Sequence, residues 1–141
     1  MLWLLITLLT SGVLATDLAS IKTEPNLEKR SDLALDNAGT ALDLARTAYN
    51  SGDVAKTGTA LDEVVESVDL AYHSLEETGK DARRNPRPYK RAELKTRELL
   101  RRLEGIRELV SFEDRALVEK VRDRVAQVHD ELLQGIMSKK K

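Results

Sequence analysis

At 141 residues and 15.8 kDa, with 33% charged and 4% aromatic residues, the chain holds material for one domain with one modest core. It has no cysteine, which excludes disulfides, thiolate metal sites, covalent haem attachment and cysteine nucleophiles together. Leu, Val and Ala dominate the apolar residues while Gly and Pro are scarce, so the composition favours an all-α fold.

The first fifteen residues, "MLWLLITLLTSGVLA", carry no charge and are nearly all apolar. This run is shorter than the roughly 20 residues that span a bilayer, and Val13 and Ala15 stand at the −3 and −1 positions of a cleavage site. Residues 1–15 therefore read as a signal peptide cleaved after Ala15. The alternatives are an uncleaved N-terminal anchor or a start upstream of Met1, because no Lys or Arg precedes the apolar run. Thr16 stands where a lipoprotein signal would carry cysteine, which excludes lipid anchoring. An exported domain without disulfides is held by packing alone, which suits a bacterial periplasmic or secreted protein.

A polar lead, residues 16–24, is followed by four apolar stripes of helical period that define a domain over residues 25–138. The first stripe begins with Thr23 as cap and Pro25 in the first turn, and runs Leu27, Ala34, Leu35, Ala38, Ala41, Leu42, Ala45, Ala48, Tyr49. Gly52 stops it and Asp53 caps the next helix. The second runs Val54, Thr57, Leu61, Val64, Val65, Val68, Ala71, Tyr72, Leu75 in steps of three and four, which no strand fits. Gly79 closes it, and Pro86 and Pro88 bar a helix from crossing "KDARRNPRP". The third stripe, Ala92, Thr96, Leu99, Leu103, Ile106, Val110, starts after Pro88. Ser111 with Asp114 predicts a capping box for the fourth: Leu117, Val118, Val121, Val125, Val128, Leu132, Ile136. Residues 139–141 are a basic tail.

Helices of about 25 residues are roughly 37 Å long, so neighbours joined by short turns lie antiparallel. The expectation is an up-down-up-down four-helix bundle made of two long hairpins. Two loosely coupled hairpins, hinged near Pro86 and Pro88, are the alternative.

"LDLARTAYNSGDVAKTGTAL", residues 42–61, resembles the middle of a tetratricopeptide repeat, with Ala45, Ala48, Tyr49, Gly52, Asp53, Ala60 and Leu61 at its offsets. The closing proline of that repeat is absent and the second hairpin does not repeat the signature. The resemblance implies peptide or protein binding and no particular ligand.

Charge is unevenly divided. Residues 16–80 hold six Lys or Arg against thirteen Asp or Glu, net −7; residues 81–141 hold seventeen against eleven, net +6. Acidic flanks of the first hairpin can thus face basic flanks of the second and choose their register, while the apolar seam supplies the stability. Nine Lys or Arg fall within residues 83–102. Projected on a helix, Arg91, Lys95 and Arg102 line one flank, whereas Lys90, Arg97 and Arg101 lie behind; Glu93 with Arg97 and Glu98 with Arg102 form i,i+4 pairs. Arg83, Arg84 and Arg87 precede them. These cations are a candidate surface for a protein partner or an anionic envelope component. A nucleic-acid reader would add exposed aromatics, and Tyr89 is the one aromatic residue nearby.

Asp62, Glu66, Asp69, His73 and Glu76 recur at helical spacing beside the second stripe. Carboxylates and imidazole one turn apart are candidate ligands for a divalent cation, or a solvated face. His129 projects into the fourth stripe between Val125 and Leu132, as a hydrogen-bonded core-edge residue or a candidate ligand. Haem ligation would need a second axial ligand, which neither His73 nor Met137 is placed to give. The chain has no phosphate loop, HExxH or nucleophile elbow, so no enzyme activity and no cofactor are expected. The expected function is that of an exported interaction module without a membrane span in its mature form; a periplasmic bundle binding a small ligand or divalent metal is the alternative.

Overall fold

Asn26 opens the first long helix by accepting a hydrogen bond from the Lys29 amide at 3.0 Å, and Asp53 does the same for Lys56 at the second, also at 3.0 Å. Each side chain satisfies a first-turn amide that has no partner within its helix. The computed structural model describes residues 18–138; the expected signal segment, residues 1–15, and the tail, 139–141, lie outside the described residues. Within them stand a short helix α1 (Leu18–Lys22) and four long ones, α2 (Leu27–Asn50), α3 (Val54–Glu77), α4 (Pro86–Leu109) and α5 (Arg115–Met137). The described residues contain no strand, as the stripes require. Gly52 and Gly79 follow the α2 and α3 ends at φ 76° and 64°, the left-handed region that ends helices and favours glycine.

Three boundaries differ from expectation. The polar lead contains α1, which buries Leu18 and Ile21. Its end uses Thr23, whose hydroxyl donates to the Ser20 carbonyl at 2.6 Å, so the cap of α2 falls to Asn26 and Pro25 stays outside the helix. Pro86 and Pro88 lie inside the first turn of α4 instead of ahead of it. Proline is tolerated there because the amide it lacks is one the first turn leaves unpaired. Ser111 and Asp114 do not form a capping box. A 3-10 turn, Phe112–Asp114, precedes α5, and the Asp114 carboxylate accepts from the Ser111 hydroxyl at 2.9 Å and from the Tyr49 hydroxyl at 3.0 Å. The Tyr49 oxygen in turn accepts from the Ser111 amide at 2.8 Å, which ties the end of α2 to the α4–α5 connection.

Helix directions follow from the pairs that join them. Within each hairpin the helices run antiparallel: Arg30 meets Glu77 and Asn37 meets Ser67, then Glu93 meets His129 and Arg107 meets Glu119. Between hairpins the numbers rise together, with Asp32 on Lys95, Asp43 on Arg102 and Tyr49 on Ser111, so α4 lies parallel to α2. Asp69 on Arg124, together with a groove shared by Leu61 and Val65 with Leu117 and Val121, sets α5 parallel to α3. The second hairpin thus lies on the first in the same sense, with α4 beside α2 and α5 beside α3. The acidic flank of α2 supplies a physical reason, since Asp32, Asp36 and Asp43 hold Lys95 and Arg102 against that helix.

One core crosses both hairpins. Leu42 of α2, Leu61 and Val68 of α3, Leu103 of α4 and Val125 of α5 belong to the same buried cluster. On α2 the inward residues Ala34, Ala38, Ala41 and Ala45 are small, which lets α3 approach closely. Buried between these helices, the Asn37 amide donates to the Ser67 hydroxyl at 2.8 Å. The connection over 78–85 is not a loose hinge. Ala82 is buried in the core, and the buried Tyr89 hydroxyl sits 2.9 Å from the Lys80 carbonyl and 3.1 Å from that of Leu75. Among the stripe residues, Val54 and Leu117 are exposed instead of buried, both in the first turn of their helices.

Candidate functional site

The basic residues singled out in the sequence divide into two sets. Lys95 lies between Asp32 and Asp36 of α2, its Nζ 2.7 Å from a carboxylate oxygen of each. Burial pulls the Lys95 ammonium down, but the two hydrogen bonds outweigh it and hold its pKa above the ordinary 10.5. Arg102 pairs with Asp43 and donates to the Gly39 carbonyl at 3.3 Å. Glu98 is consequently left to Arg101, so the expected Glu98–Arg102 pair does not form. Arg83 pairs with Asp81 at 3.2 Å. The Asp81 carboxyl sits below its ordinary value, first through the Arg83 amide, then through the guanidinium of Arg83 and the charge of Arg84.

Arg84, Arg87 and Arg91 are exposed and make no ion pair among the described residues; Lys90 joins them. These four cations occupy the start of α4 and the residues just before it. That turn contains no acidic residue, and Asn85 makes no side-chain cap bond. Cations at the positive end of a helix dipole are unfavourable by a few tenths of a kcal/mol each. Apart from the charge of Arg84 on Asp81, fold stability therefore gives no reason for the cluster.

The five polar residues of α3 do not converge. Asp69 bonds the Arg124 Nε at 2.8 Å, and the His73 Nδ1 lies 3.0 Å from Glu76. Asp62 and Glu66 stand on the rim of a groove of about 390 Å³, with Lys120 opposite and Leu61, Val65, Leu117 and Val121 also lining it. Among the described residues no three His, Asp or Glu side chains are grouped to hold a metal ion. No helix of the described residues is long and apolar enough to cross a membrane.

His129 is placed 2.9 Å from Glu93 through Nε2, and this Glu is 5% exposed. Arg97 donates to the same carboxylate oxygen through Nε at 3.0 Å. Spacing identified Glu93 and Arg97 as a surface pair; the burial of Glu93 beneath α5 went unseen. Its position one residue after Ala92 and three before Thr96, both buried, was the available signal. Tyr89 and Asn37 were likewise unmarked as polar anchors.

A groove of about 530 Å³ between α2 and α4 is lined by Arg46, Arg101 and Arg102 against Asp43 and Glu98, with Leu42 and Ile106 also lining it. Its charges are largely paired with one another.

No family model, curated protein or solved structure matches this chain. The tetratricopeptide resemblance thus rests on residues 42–61 alone. They form the end of α2, the turn at Gly52 and the start of α3.

Proposed function

We propose that this chain is an exported, non-enzymatic helical module that acts through a contact surface, taking a protein or an anionic component of the cell envelope as its partner. One observation carries this reading: Lys95 and Arg102 are consumed by α2, while Arg84, Arg87, Lys90 and Arg91 stay exposed at a helix end where their charge is unfavourable. An anion brought to that end would relieve the cost. The apolar, uncharged residues 1–15 support export.

Reversing Arg84, Arg87, Lys90 and Arg91 to Glu should abolish retention of the partner from envelope extract, with helicity unchanged. An unchanged retention profile would remove this end from the interface. Reversing Lys95 and Arg102 should instead lower stability, because both face carboxylates of α2.

The groove between α3 and α5 favours a second reading, a small ligand or cation held at Asp62 and Glu66. The contact-surface reading predicts no change in melting temperature with Ca²⁺, Zn²⁺ or Mn²⁺. A rise that disappears in Asp62→Asn/Glu66→Gln would select the groove instead.

A further inference from the structure

The four unpaired cations share one end of the molecule with both ends of the described chain. Lys80 Nζ bonds Glu28 at 3.0 Å, which sets the connection over 78–85 beside the start of α2. Glu28, Asp32, Pro88 and Arg91 line one cleft, so α4 begins there too. A Cβ on Gly135 would lie 3.6 Å from the Ala82 Cβ, which brings the end of α5 to the same place. The described chain therefore enters through α1, next to the start of α2, and leaves at Ser138, both at the end that carries Arg84, Arg87, Lys90 and Arg91. The sequence beyond each point has matching chemistry: residues 1–15 are apolar and uncharged, and 139–141 are three lysines.

We propose that residues 1–15 stay attached as the uncleaved anchor, the alternative the sequence leaves open, and that this end docks on the anionic lipid headgroups of the same membrane. The proposal rests on the contact-surface reading and narrows its partner to a bilayer surface. Three features favour lipid over a protein partner. Arg84, Arg87, Lys90 and Arg91 are all exposed, and the cleft that reaches Arg91 holds only about 20 Å³, room for little more than one water. Phe112, 84% exposed and the kind of aromatic anchor a protein interface uses, sits at the opposite end. Met137, an exposed apolar side chain, is at the basic end, where it can enter the interfacial layer. Juxtamembrane basic residues are attracted to an anionic leaflet, each contributing roughly fivefold in affinity.

The test is flotation of the full chain with two kinds of vesicle, pure phosphatidylcholine and phosphatidylcholine containing phosphatidylglycerol. Residues 1–15 enter both alike, so the ratio of the two affinities reports the basic end. The expected preference for anionic vesicles is several hundredfold, roughly fivefold for each of the four cations, at low salt, shrinking steeply as salt is raised. It should vanish in the Arg84→Glu/Arg87→Glu/Lys90→Glu/Arg91→Glu chain, whose helicity should match the parent because the new charges suit the helix dipole. A second variant, with Ala at the four positions, should lose most of the preference, keeping only what the lysines of 139–141 supply, without adding repulsion. Equal affinity for the two vesicles, or a preference that survives both variants, overturns the proposal. Displacement by inorganic phosphate at concentrations matching the lipid phosphate would assign the patch to a free anion and overturn it as well. Loss of lipid preference beside a retained, charge-dependent protein partner would sink the docking but leave the contact-surface reading standing.

Discussion

Replacing Glu93 by alanine is expected to cost about 3 kcal/mol of folding stability, measured by urea unfolding near neutral pH. The carboxylate is buried between α4 and α5, where it accepts from His129 and Arg97. Removing it strands the His129 ring, which is 15% exposed, while Arg97, 62% exposed, can turn to water. The loss should therefore fall mostly on the imidazole, and a second change, His129→Leu, should recover part of it. Burial alone would raise the Glu93 pKa, but the bonds from His129 and Arg97 outweigh it and hold it below 4.5. A carboxyl with a lowered native pKa binds fewer protons folded than unfolded. Its contribution is complete above the unfolded value and is lost as pH falls through the native one. The stability gap between the parent and Glu93→Gln should accordingly be widest near pH 7 and close only as pH falls through the native value, below 4.5. A gap that stays constant in acid would mean that the carboxylate is not ionised in the native state.

The second large effect is expected at Leu103, which is 0% exposed in the shared core. Leu103→Ala should cost about 3 kcal/mol through lost transfer energy plus the residual cavity. Leu94 on the same helix is 57% exposed, and its replacement by alanine should fall within about 0.5 kcal/mol of the parent. The form of the transition matters as much as its midpoint. Tyr49 and Tyr72 lie in the first hairpin and Tyr89 opens the second, so tyrosine signals sample both. Helicity and tyrosine signals should be lost together in the variant as in the parent, because one core joins the hairpins. Two separated transitions would show instead that the hairpins unfold independently.

The interhelical ion pairs are not the main source of this stability. Lys95, Arg102 and Arg124 all keep solvent access, and such pairs contribute roughly 0 to 1 kcal/mol each. Their effect is to select how the hairpins lie on one another. A buried leucine outweighs any one of them, but leucine does not distinguish a parallel neighbour from an antiparallel one.

Helix class and approximate helix spans were legible because period and punctuation are local. Gly52 and Gly79 stop helices by backbone conformation, and Asp53 caps its own neighbour three residues on. The start of α4 lies three residues earlier than a start after Pro88, since Pro86 and Pro88 are tolerated in a first turn as readily as they break a helix interior. The candidate surface was legible in part. Arg84, Arg87 and Arg91 were marked by charge, but spacing along one helix says nothing of what stands across from it. Nothing in the sequence of α4 separates Lys95, taken up by Asp32 and Asp36, from Arg91, which is left free.

The sequence by itself determined four long helices, their inward faces and an acidic first hairpin followed by a basic second one, because each of these depends on residues within a few turns of one another. Only the tertiary structure decided that α4 packs beside α2 and α5 beside α3, that Glu93 is buried against His129, and that Lys95 and Arg102 are taken up by α2 while Arg84, Arg87, Lys90 and Arg91 are not. Those outcomes depend on which helix stands opposite which. Residues some sixty positions apart meet there, and no local pattern records it.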